Sequence, residues 1–125
     1  MGERVLFIVK NKQGEYGPCA VYGHWSGDKA HQIIAALRER MGDRTDDVSY
    51  ATARLFGVMH ERIPGNLSLG AYPLPDDFEA ATLEAYSHGD GGVLVINCHD
   101  WSVQAYGGYW GENGAAMTKP DWIDA

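Results

Sequence analysis

At 125 residues, with 45% hydrophobic and 22% charged side chains, the chain is the size of one domain and too apolar for a disordered segment. Its formal charge of −7 is uneven: residues 1–62 carry nine basic and eight acidic groups, residues 63–125 one basic group, Lys119, against nine acidic ones. A second half so poor in Lys and Arg argues against direct nucleic-acid binding, which needs those cations for phosphate. No apolar run approaches the roughly 18 residues that cross a bilayer.

The 16 glycines point to many tight turns and short strands. Two cysteines, Cys19 and Cys98, make no disulfide framework and are expected as reduced thiols. Met1–Arg4 leads directly into a strand pattern without the features of a signal peptide, so the expected compartment is a cytoplasm.

Val5 to Val9 is a continuous apolar, β-rich run of strand length. Asn11 to Glu15 forms a turn, and Cys19 to Trp25 returns as the second strand of a hairpin, with Pro18 at its start or edge. Ser26-Gly27-Asp28 starts a helix with Ser26 or Asp28 as N-cap, and Ala30, Ile33, Ile34, Leu37 and Met41 form its apolar stripe. Gly42 ends it. Thr45-Asp46-Asp47 opens a second helix, its acids suited to the dipole, with Val48, Ala51, Leu55, Val58 and Met59 facing inward. Thr52 weakens one edge of that stripe, and Ile63-Pro64-Gly65 stops the helix.

Asn66 to Asp77 reads as a loop with a short strand at Leu67 to Ala71, and Asp76 to Tyr86 as a short third helix. After the break at His88 to Gly92, Val93 to Cys98 is a strand, His99 to Ser102 a turn, and Val103 to Tyr106 the returning partner. The expected fold is therefore α+β: a two-layer sandwich whose antiparallel sheet comes from two hairpins, with two or three helices on one face. Residues 1–110 make the domain and residues 111–125 an extended or loosely docked tail, anchored by Trp122 and Ile123.

Signatures of phosphate-binding loops, dinucleotide folds, zinc proteases and nucleophile elbows are absent, and no cofactor or metal is expected. A zinc site from Cys19, His24, Cys98 and His99 would need a bulge in each hairpin, since residues five apart or adjacent on a strand face opposite ways. Thiol chemistry remains an alternative, with Cys98 activated by His24, His88 or His99, against burial of Cys98 at the end of a core strand. Asp90 and Asp100 stand roughly 30 Å apart along an extended chain, which excludes shared acid–base work.

Aromatic residues concentrate on the hairpins: Tyr22, Trp25, Trp101, Tyr106, Tyr109 and Trp110. Alternation places Tyr109 and Trp110 on opposite faces, so at least one leaves the core and becomes an interface anchor.

Val21-Tyr22-Gly23-His24-Trp25-Ser26-Gly27 resembles a segment of small uncharacterised bacteriophage and prophage proteins, in which it closes a hairpin and enters an amphipathic helix. The resemblance spans about 20 residues. It implies a phage accessory protein acting on host machinery, of which inhibitors of CRISPR effector complexes are one class. The expectation is then a binding protein that inhibits or modulates a host protein or nucleoprotein complex with a basic surface, without direct nucleic-acid or membrane contact. Asp76, Asp77, Glu79, Glu84, Asp90 and Asp100 are the expected acidic contacts, and Tyr109 and Trp110 the anchors. The alternative is a small enzyme or small-molecule binder using Cys98 with His24 or His99; a homodimer is a further expectation.

Overall fold

The run Val5–Lys10 is apolar on both faces because it becomes a central strand with neighbours on either side. The computed structural model describes residues 3–62, 68–74 and 90–118. In chain order these form β1 (Val5–Lys10), β2 (Cys19–Gly23), α1 (Ala30–Met41), α2 (Val48–Arg62), β3 (Leu69–Pro73), β4 (Gly92–Asn97), β5 (Val103–Tyr106) and β6 (Ala115–Ala116). The expected helix from Asp76 and the anchors Trp122 and Ile123 lie outside the described residues.

The strands make one sheet in the order β3-β2-β1-β4-β5-β6. Both expected hairpins form, with Phe7 opposite Val21 in the first and Leu94 opposite Ala105 in the second. They join through their first strands. Because a long crossover through α1, α2 and β3 separates β1 from β4, that pair is parallel, in register from Val5–Gly92 to Lys10–Asn97. The sheet is thus mixed, not antiparallel. In place of the strand expected at Leu67 to Ala71, the loop carries β3 at Leu69–Pro73, antiparallel to β2, with Tyr72 opposite Ala20.

On one face Val5, Phe7, Val9, Val21, Leu94, Ile96 and Ala105 pack against Ile33, Leu37, Leu55, Val58 and Met59 of the two helices. Each of these side chains larger than alanine contributes about 1.5–3 kcal/mol on burial. On the other face Ile8, Ala20, Val93 and Val95 form a smaller buried cluster with Leu6, Leu74 and Tyr106. Burial on two sides is what makes β1 and β4 read as unbroken apolar runs.

The α1 stripe is buried as its periodicity requires, but its start differs from expectation. A 3₁₀ turn over Gly27–Lys29 precedes the helix, and neither Ser26 nor Lys29 makes a side-chain cap. Gly27 is instead pinned to the start of the sheet: its N–H donates to the Glu3 carbonyl at 2.7 Å, and a Cβ there would lie 2.9 Å from that same oxygen. At α2 the acids precede the first turn instead of lying in it: the helix begins at Val48, and Asp47 just before it accepts from the Tyr50 N–H through Oδ1 at 3.0 Å. Thr52 is buried within the stripe, tolerated because its hydroxyl donates to the Val48 carbonyl at 2.7 Å. Gly92 opens β4 with φ +71°, where a Cβ would stand 2.6 Å from the Tyr106 carbonyl oxygen.

The chain beyond residue 110 belongs to the sheet as far as it is described. β6 pairs with Gln104 and Ala105, and the Met117 N–H donates to the Val103 carbonyl at 2.9 Å.

Candidate functional site

Trp110, expected as an exposed anchor, is fully buried. Its Nε1–H donates to the Gly27 carbonyl at 2.9 Å, and its ring meets His31 edge-on at 5.0 Å. Strict alternation fails because residues 109–110 form a turn closed by the Gly108–Gly111 bridge. Tyr109 is half-buried; its hydroxyl donates to Glu3 Oε1 at 2.8 Å, and burial together with that carboxylate raises its pKa well above the ordinary value. Both anchors therefore hold the strand ends to α1 and its approach.

The described acids are also engaged internally. Asp90 accepts from the Arg4 side chain at 2.8 Å, and Asp100 accepts from the Ser102 N–H and hydroxyl at 2.9 and 2.7 Å. Asp76, Asp77, Glu79 and Glu84 lie outside the described residues.

The thiol pairing of Cys98 with His24 does not assemble. Cys98 is buried, and burial followed by the Asp46 charge pushes its thiol up. His24 follows the end of β2 beside Val5, whereas Cys98 follows the end of β4 beside Lys10. The length of β1, roughly 16 Å at 3.3 Å per residue, separates those ends. His24 accordingly stands away from Cys98, and among the described residues no three His, Cys, Asp or Glu side chains are grouped to hold a metal.

What the fold does bring to His99 is Asp46. Oδ2 of Asp46 lies 2.8 Å from His99 Nδ1, while Oδ1 accepts from the Lys12 N–H at 2.9 Å. The Lys12 bond first, and His99 second among the stabilising contacts, hold the Asp46 carboxyl below the usual range. Asp46 has φ +62° and thereby joins the β1–β2 turn, the approach to α2 and the β4–β5 turn. His99 lines an open groove of about 680 Å³ together with His31, Ile34, Arg38, Glu39, Thr45 and Trp101 among others. A neighbouring hollow of about 280 Å³ shares His31, Ile34 and Trp101 and extends to Val103 and Met117.

A second feature lies on the sheet face away from the helices. Tyr22 stands opposite Leu6 and Tyr72 opposite Ala20, which puts both rings on that face. They meet edge-to-face at 5.9 Å, and the Tyr22 hydroxyl pairs with His24 Nδ1 at 3.1 Å. His24 in turn meets Trp25 at 4.4 Å. Among the described residues the large exposed hydrophobic side chains are Trp25, Tyr50 and Tyr72, at 46%, 50% and 55% exposure, and two of the three belong to this patch. The sequence marked Tyr22, His24 and Trp25 but not Tyr72, which arrives 50 positions after Tyr22 through the pairing of β3 with β2. The Asp46–His99 pair, 53 positions apart, had no sequence pattern to announce it.

The geometry defines an α+β protein with a mixed six-stranded sheet, an exposed aromatic patch on one face and a polar groove beside α1. No family model matches the chain, no curated protein matches it, and no solved structure matches it. Among the described residues no helix is long and apolar enough to cross a membrane.

Proposed function

We propose that the chain is a binding protein that engages another protein through the patch Tyr22, His24, Trp25 and Tyr72, in the accessory role toward host machinery that its resemblance to phage proteins implies. One observation carries the reading: Trp25 and Tyr72 keep about half their surface exposed while ring contacts with His24 and Tyr22 fix their orientation. Aromatic rings held in place and left uncovered lose little conformational freedom on binding and present large contact area. The net charge of −7 favours a partner with Lys and Arg at its surface, whose cations would sit on those ring faces. Asp90 and Asp100, the expected acidic contacts among the described residues, are engaged with Arg4 and Ser102, so the reading rests on the aromatic side chains.

A photo-crosslinking amino acid placed at Tyr72 tests this inside bacterial cells, with the same substitution at Tyr50 as control. Tyr50 is equally exposed but lies on α2 beneath Arg44, 4.3 Å from its ring centre. A discrete adduct from position 72 and none from position 50 is expected; equal or absent adducts at both positions would overturn the reading.

A further inference from the structure

We propose that the groove beside α1 is a second site, for a small molecule joining a planar heteroaromatic ring to one anionic group, the chemistry of a nucleoside monophosphate. The space of about 680 Å³ and its 280 Å³ extension suit a ligand of that size. Trp101 lines both hollows together with His31 and Ile34 and supplies the plane on which a base stacks. It does so from a left-handed backbone, φ +64°, with its N–H donating to the Asn97 carbonyl at 2.8 Å. Such a conformation is uncommon for a bulky residue and recurs where a side chain must be aimed at a ligand.

The polar side chains of the groove have capacity to spare. Arg4, Arg40 and Arg44 are paired with Asp90, Glu61 and Asp47. Arg38 lines the groove, is exposed, and among the described residues makes no ion pair or side-chain hydrogen bond. Its planar fork matches a phosphate bidentately. Ionised Asp46 only accepts, so the neutral His99 ring carries its proton on Nδ1, and Nε2 is left as an acceptor. Thr45 and Glu39 add a hydroxyl and a second acceptor for ribose or base N–H groups. Glu39 does not cancel Arg38, since adjacent residues on a helix do not face each other. The negative charges of Glu39 and Asp46 nonetheless disfavour a polyanion, which is why the inference names a monophosphate. No residue is shared with the aromatic patch, so this site and the protein-binding reading fail independently.

Calorimetric titration of the full chain with AMP, GMP, CMP and UMP tests the inference, with the parent nucleosides and inorganic phosphate as separate arms. At least one nucleotide should bind with Kd below about 1 mM. Arg38→Gln should weaken it about tenfold without changing nucleoside binding, the loss expected for one charge-assisted contact. Trp101→Asn should weaken nucleotide and nucleoside alike, Asn being chosen because it tolerates positive φ and preserves the turn. Absence of heat from all four nucleotides, inorganic phosphate binding as tightly as any of them, or nucleotide binding indifferent to Arg38→Gln would overturn it.

Discussion

Replacing Trp110 separates a packing role from a contact role. The side chain is fully buried, donates to the Gly27 carbonyl at 2.9 Å and touches the rings of His31 and Tyr109 at 5.0 and 5.4 Å. Trp110→Phe keeps an aromatic ring but loses the indole hydrogen bond, at a cost of about 0.5–1.5 kcal/mol, since the Gly27 carbonyl still accepts from the Ala30 N–H. Lost ring volume adds to this, and Trp110→Ala, which empties the site, should cost about 3–5 kcal/mol. Against a total stability of roughly 5–15 kcal/mol these are large fractions. For a chain of this length Trp110→Phe should lower Tm by roughly 10 °C, and Trp110→Ala by more. Far-UV circular dichroism melts and urea titrations of the three proteins measure both values. A Trp110→Phe melt within about 2 °C of the parent would refute the buried anchor and its hydrogen bond.

Thiol accessibility gives another check. Cys19 is half-buried and Cys98 fully buried, and burial raises both pKa values, so each is less ionised at neutral pH than a free thiol. Iodoacetamide at pH 7.5 should modify Cys19 slowly and Cys98 only as fast as the chain unfolds; rapid labelling of Cys98 would restore the thiol-chemistry alternative. Acid stability follows from the carboxylates. Asp46, Asp47 and Asp100 have folded-state pKa values held below the ordinary one, each by hydrogen bonds to its anionic form. Their contribution is complete above the unfolded value of about 4 and is lost as pH falls through the folded values. Stability should therefore drop below about pH 4, and Asp46→Asn should flatten that slope in urea titrations at stepped pH. An unchanged slope would show that the Lys12 and His99 contacts do not favour the ionised form.

Local pattern made much of this fold legible. The spacing of Ala30, Ile33, Ile34, Leu37 and Met41 identifies the inner face of α1 because a helix repeats faster than the apolar stripe can drift. Both hairpins were legible from turn residues between short apolar runs. Their union was not: β1 and β4 are apolar on both faces, and a strand without alternation carries no sign of whether its neighbour runs parallel. Trp110 was misplaced because a turn at residues 109–110 interrupts the alternation used to assign it. The site divides in the same way. Tyr22, His24 and Trp25 are consecutive enough to be noticed, whereas Tyr72 joins them only through β3, and Asp46 meets His99 across three separate turns. Contacts made by long-range pairing leave no local trace in a single sequence.

The most direct test of the aromatic patch is affinity capture from bacterial lysate by the parent chain, Trp25→Ala/Tyr72→Ala and Tyr50→Ala, read by mass spectrometry. Trp25 and Tyr72 are exposed, so the double variant should retain its fold in a melt run alongside. The account predicts one stoichiometric protein retained by the parent and by Tyr50→Ala and lost from the double variant. Equal retention of that protein by all three would contradict it.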